Sequence, residues 1–97
     1  MQIIVTGRHV ELTEPIEQYA IKRCDHLEKY RDHVQSIEIV LDKVNLDFEV
    51  EARVEVIHHS MIIGKSSQED LYAGIDQAVD RVARQLHDWK EKTQSHK

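Results

Sequence analysis

Cysteine, proline, glycine and aromatic residues are all scarce in this 97-residue chain, and each scarcity narrows what it can be. A single cysteine, Cys24, allows no internal disulfide, which fits a reducing compartment. One proline and three glycines leave no linker, repeat or low-complexity segment. One domain over residues 1–97 is therefore expected, with an ordered core over about 1–92. The opening MQIIVTGRHVEL lacks a basic start and a long apolar run, and no window approaches the ~18 apolar residues of a membrane span, so a cytoplasmic protein with no membrane partner is expected. Cations are outnumbered too: 13 Lys and Arg face 18 Asp and Glu, for a net charge of −5. Such a chain as a whole is repelled by polyanions, so an anionic partner requires cations gathered locally.

What is present changes period cleanly along the chain. Gln2 to Gly7 is a β-rich run closed by glycine and predicts a strand. Thr13, followed by Glu14 and Pro15, caps a helix whose apolar face runs through Ile16, Ala20, Cys24 and Leu27 and ends near Arg31. Ile37, Ile39 and Leu41 alternate with polar residues, as do Phe48, Val50, Ala52, Val54 and Val56, so two half-buried strands follow. A turn at His58, His59 and Ser60 makes an antiparallel hairpin with a fourth strand, Met61 to Lys65. Ser66 with Glu69 reads as a capping box for a long helix that carries Leu71, Ile75, Ala78, Val79, Val82, Leu86 and Trp89 on one face. The fold class is α+β in the order β-α-β-β-β-α, a four-stranded sheet with two helices packed on one face.

The charges separate by segment. From Glu38 to Glu55, six carboxylates face only Lys43 and Arg53, which predicts a strongly acidic uncovered sheet face. From Arg81 onward, Arg81, Arg84, Lys90, Lys92 and Lys97 face only Asp88 and Glu91. In the first helix Lys22, His26 and Lys29 form a stripe off the apolar face, so two helices side by side join their edges into one basic track. A solvated helix exterior is the bland explanation of these charges, and Asp76 and Asp80 precede Arg84 on the helix, Asp80 four residues before it at pairing distance.

Other residues invite sharper readings that their context does not favour. Cys24 lies in register with the apolar face and has no base arranged beside it, so it reads as core. The chain has seven histidines but neither an HExxH motif nor a cysteine pair, so no metal or cofactor is expected. Trp89 follows Val82 and Leu86 on the apolar stripe and reads as core or rim packing, and Tyr72 reads as structural. No nucleophile, base and oxyanion-donor constellation is present, so neither an enzyme nor a small-molecule substrate is expected. A module that binds protein through its acidic sheet face is the alternative to a nucleic-acid partner.

The segments VTG at Val5 to Gly7, VELTEPI at Val10 to Ile16, EDLYAGID at Glu69 to Asp76, DRVARQL at Asp80 to Leu86 and DWKEK at Asp88 to Lys92, in this element order, resemble the short ribosome hibernation promoting factors over essentially the whole chain. The resemblance implies a fold similar to double-stranded-RNA-binding domains, and binding to the small ribosomal subunit where messenger and transfer RNA sit. It implies a block of translation and, with a separate ribosome modulation factor, the pairing of idle ribosomes into inactive dimers in stationary phase or stress. Neither the extra tail of the ribosome-associated inhibitor nor the dimerisation domain of the long factors is expected in this short form. Carried onto matching segments, the rRNA-binding cations are Lys22, Arg23 and Lys29 on the first helix and Arg81, Arg84 and Lys90 on the second. Arg84 ranks first because a guanidinium forks onto phosphate oxygens, and Arg8 and Lys92 rank behind.

Overall fold

The computed structural model describes residues 1–94, with side chains over 1–93; Lys97, counted above among the C-terminal cations, lies outside the described residues. The chain runs β1 (Gln2–Arg8), α1 (Glu14–Arg23), a 3-10 helix (Cys24–Tyr30), β2 (Val34–Val44), β3 (Asp47–Val56), β4 (Ile62–Gln68) and α2 (Leu71–Gln94). The four strands form one sheet in chain order. β1 lies parallel to β2 across the helical crossover, with Ile3 opposite Ile37 and Val5 opposite Ile39. β2, β3 and β4 are antiparallel neighbours, so the expected β3–β4 hairpin is present.

Period-two alternation decides the layers. Ile37, Ile39 and Leu41 of β2 and Val50, Ala52 and Val54 of β3 point to one face and are buried. Onto that face α2 lays Ile75, Ala78, Val79, Val82 and Leu86, all fully buried. Thr13 caps α1 as its sequence implies, its Oγ1 accepting from the Ile16 N–H at 3.5 Å.

Two predicted boundaries are corrected. The first helix is α-helical only to Arg23 and winds as a 3-10 helix through Cys24–Tyr30 instead of continuing as α to Arg31. Cys24, Leu27 and Tyr30, spaced by three, are all buried. An α-helix would rotate each successive one off the face by about 60°, whereas a helix of about three residues per turn keeps them in one stripe.

The second correction concerns Ser66 and Glu69, which do not form a capping box. β4 extends to Gln68 instead of closing at Lys65, and Ser66 is a buried strand residue whose Oγ donates to the Gly74 carbonyl at 2.6 Å. Asp70 starts α2 instead: its carbonyl accepts from the Gly74 N–H at 3.0 Å, and its carboxylate accepts from the Tyr72 N–H at 3.3 Å. Small residues let α2 sit close on β4. A Cβ at Gly64 would lie 2.6 Å from the Ala78 carbonyl oxygen and 2.8 Å from Val82 Cγ2.

Candidate functional site

The acids of α2 do not pair with Arg84. Arg23, at the end of α1, reaches across to α2 with Nε 2.9 Å from Asp76 Oδ1 and Nη2 3.2 Å from Asp80 Oδ1. Tyr19 donates its hydroxyl to the same Asp76 oxygen at 2.7 Å, and that hydrogen bond is the main reason its phenol titrates above the ordinary range. Arg23 also donates through Nη1 to His26 Nε2 at 2.8 Å; a guanidinium has no acceptor, so the imidazole accepts here. Arg23 is thus an interhelical clamp, with a side chain only 25% exposed. His26, expected in a cationic stripe with Lys22 and Lys29, is turned into this clamp.

On the opposite flank α2 runs beside β4, the edge strand. Arg81 donates through Nη1 to the Lys65 carbonyl, and Gln85 donates to the Ile63 carbonyl at 2.7 Å. These arms cover outward-facing carbonyls of an edge that would otherwise invite strand pairing. They also build a groove lined by Ile63, Gly64, Lys65, Arg81, Arg84 and Gln85. Arg84 is exposed, and no carboxylate pairs with it among the described residues. Lys65 is the functional candidate that sequence reasoning missed. It stands in a strand otherwise read for hydrophobic alternation; Arg81 reaches its carbonyl, while its ammonium stands 3.8 Å from Glu51 on the outer sheet face.

Lys29 and Lys90 do meet. Their ammonium groups stand 5.4 Å and 5.8 Å from the ring centre of Tyr30, one from the 3-10 helix and one from α2. Lys22 is exposed on α1. Lys92 is exposed in the last turn of α2. Arg8 stands at the end of β1 opposite Asp42, on the sheet face turned away from the helices. The expected single track along joined helix edges is therefore corrected to two cationic stations. Arg81 and Arg84 occupy the β4 flank, Lys29 and Lys90 the flank of the 3-10 helix, and the Arg23 clamp engages the first turns of α2.

The outer sheet face is less acidic than its sequence suggests. Arg53 lies between two carboxylates, pairing with Glu51 and at 3.4 Å with Glu38. Lys65 Nζ is 3.8 Å from Glu51. His9 Nδ1 is 3.0 Å from Asp42, and this contact chiefly holds the Asp42 carboxyl below its usual range. Strand register interleaves cations from β1, β3 and β4 with the carboxylates, which a count along one stretch of chain does not reveal.

The remaining residues fall where packing predicts. Cys24 is fully buried, and desolvation, followed by the Asp25 charge, pushes its thiol up to about 11. Trp89 is half-buried at the rim. Tyr72 meets Tyr19 edge-on at 4.8 Å while keeping 40% of its surface exposed. Among the described residues no three His, Cys, Asp or Glu side chains gather as metal ligands, and no helix is long and apolar enough to cross a membrane.

Comparison with known proteins matches residues 3–94 to the family described as sigma 54 modulation protein / S30EA ribosomal protein. A ribosome hibernation promoting factor of Pseudomonas putida is 33% identical over 95 residues, covering 98% of this chain and 92% of that one. The ribosome hibernation promoting factor of Escherichia coli K12 is 31% identical over 96 residues, covering 99% and 100%. Among solved structures, the N-terminal domain of Thermus thermophilus Protein Y superposes with a TM-score of 0.82 at 30% identity, covering 92% of this chain and 99% of that one. A ribosomal subunit interface protein of Coxiella burnetii shares the fold, with a TM-score of 0.86 at 24% identity over 94% of this chain and 99% of that one.

Proposed function

Because the chain belongs to the sigma 54 modulation protein / S30EA ribosomal protein family, we propose that it is a ribosome hibernation factor that grips the phosphate backbone of ribosomal RNA on the small subunit. Seated in the channel of messenger and transfer RNA, it blocks translation by occupancy. Acting with ribosome modulation factor on the same ribosomes, it promotes inactive dimers in stationary phase or stress. The role is one of binding, without catalysis.

The observation that carries this reading is the state of Arg84: exposed, unpaired among the described residues, and lining one groove with Arg81 on the β4 flank, while Arg23 engages Asp76 and Asp80. Arginine forks suit phosphate oxygens, and rigid strand and helix backbones hold them in place. Lys29 and Lys90 form a second phosphate station, and Lys22 adds an exposed charge on α1. Arg23 serves by pairing with Asp76 and Asp80, the acids that line the α2 surface beside Arg81 and Arg84. Arg8 and Lys92 lie at the periphery. Such contacts read backbone and shape rather than sequence.

The test is co-sedimentation with small subunits at physiological salt, comparing the wild-type chain with Arg81→Glu/Arg84→Glu. The variant should leave the subunit fraction and stop competing with transfer RNA; retention of both activities refutes the assignment. The acidic-sheet alternative predicts the reverse, loss on reversing Glu49 and Glu51 alone. It is weakened by the cations already lying against Glu51.

A further inference from the structure

Trp89, the only tryptophan of the chain, is the meeting point of two imidazoles brought from distant segments. His33, from the approach to β2, meets it edge-on at 5.2 Å with an interplanar angle of 73°. His59, from the β3–β4 turn, lies 5.5 Å away at 45°. Both histidines are anchored through their backbones. The His33 N–H donates to the Tyr30 carbonyl at 2.8 Å and its carbonyl accepts from Ile57 at 2.9 Å, while the His59 N–H donates to the Val56 carbonyl at 3.1 Å. His59 is exposed, and its ring leans toward the indole at the molecular surface. This end of the molecule also carries the Lys29 and Lys90 pair over Tyr30, with Lys90 next in sequence to Trp89.

An aromatic step beside two cations is the combination that holds a single-stranded nucleotide: the ring takes the base face and the ammonium groups take the phosphate. We propose that His59, supported by Trp89, is a stacking platform for an unpaired RNA base whose phosphate is held at Lys29 and Lys90. The site is sequence-tolerant, because every base has a π-face. It adds a single-stranded contact to the backbone grip of the β4 flank, and it rests on the RNA-binding reading above.

Trp89 is its own reporter. Short oligoadenylate titrated at low salt should quench tryptophan fluorescence, whereas an abasic ribose-phosphate chain of equal length should bind more weakly and leave the emission unchanged. His59→Ala should weaken oligoadenylate about tenfold, the scale of one stacked base. His59→Tyr, which keeps an aromatic face, should restore binding, and melting curves should show both variants folded. Equal affinity for the abasic and base-bearing chains, or unchanged affinity in His59→Ala, overturns the platform. Ribosome co-sedimentation separates the two readings: a wild-type chain that pellets with small subunits yet shows no quenching sinks the platform alone. A chain that does not pellet at all sinks the function it rests on.

Discussion

Arg23 and Arg84 are both cations in helical segments, yet their environments predict opposite phenotypes. Arg84 is exposed and unpaired among the described residues, so Arg84→Gln should leave stability within about 0.5 kcal/mol of wild type. In binding it should remove one phosphate contact. The slope of log K against log salt should then fall by about 0.7 to 0.9, which near physiological salt corresponds to about fivefold weaker binding, or about 1 kcal/mol. Arg23→Ala removes a two-armed clamp whose carboxylates are 38% and 61% exposed. Screened pairs of this kind contribute about 0.2 to 1 kcal/mol each, so the fold should lose about 1 kcal/mol and melt about 4 to 8 °C lower.

Binding should weaken in Arg23→Ala as well, by a different route. Asp80, freed and four residues before Arg84, would draw that guanidinium into a helical pair. Adding Asp76→Asn and Asp80→Asn to Arg23→Ala should therefore restore the salt slope without restoring Arg23. The assay is co-sedimentation with small subunits over a salt series of roughly 0.05 to 0.5 M, paired with thermal melts. If the triple variant keeps the reduced slope of Arg23→Ala, Arg23 touches RNA itself and the clamp account is wrong.

Gly64→Ala should lower stability by about 2 to 3 kcal/mol, because the new methyl lands 2.6 Å from the Ala78 carbonyl oxygen and α2 must lift off β4; a melting point within two or three degrees of wild type would contradict so close a seam. The Cys24 thiol, buried and pushed up to about 11, should resist an aromatic disulfide reagent at mildly alkaline pH and react only on unfolding. Asp42, whose carboxyl is depressed mainly by His9, contributes stability that is present above its unfolded pKa and is lost as pH falls through its lower folded value. In His9→Ala its carboxylate resonance should titrate at higher pH, and an unchanged midpoint would rule out the His9 contact in solution.

Much of the architecture was legible because burial imposes a period. The α2 stripe from Leu71 to Leu86 and the inward sets of β2 and β3 are buried as their spacing requires, with Phe48 at the start of β3 only partly so. Thr13 was readable because a cap acts within one turn of chain. Ser66 misled because its hydroxyl has two possible uses, capping a following helix or bonding across to one. The second prevails because Gly74 passes directly over β4. The 3-10 winding was missed although its signal, apolar residues at strict intervals of three, stands in the sequence at Cys24, Leu27 and Tyr30.

The candidate site divides in the same way. Lys90 is half-buried, but that Arg81, Arg84 and Lys29 are exposed cations in helical segments follows from the sequence, because residues off an apolar stripe face solvent. Which of them are free to bind an anion does not, because a charge is neutralised by whatever lies within a few ångströms, irrespective of separation along the chain. Only the crossing of α1 over α2 pairs Asp76 and Asp80 with Arg23, and only the run of α2 along the sheet edge lays Arg81 on the Lys65 carbonyl. Local periodicity sets the layers and the inventory of charge. Which cations are paired and which stand exposed is settled by contacts between residues that no local pattern joins.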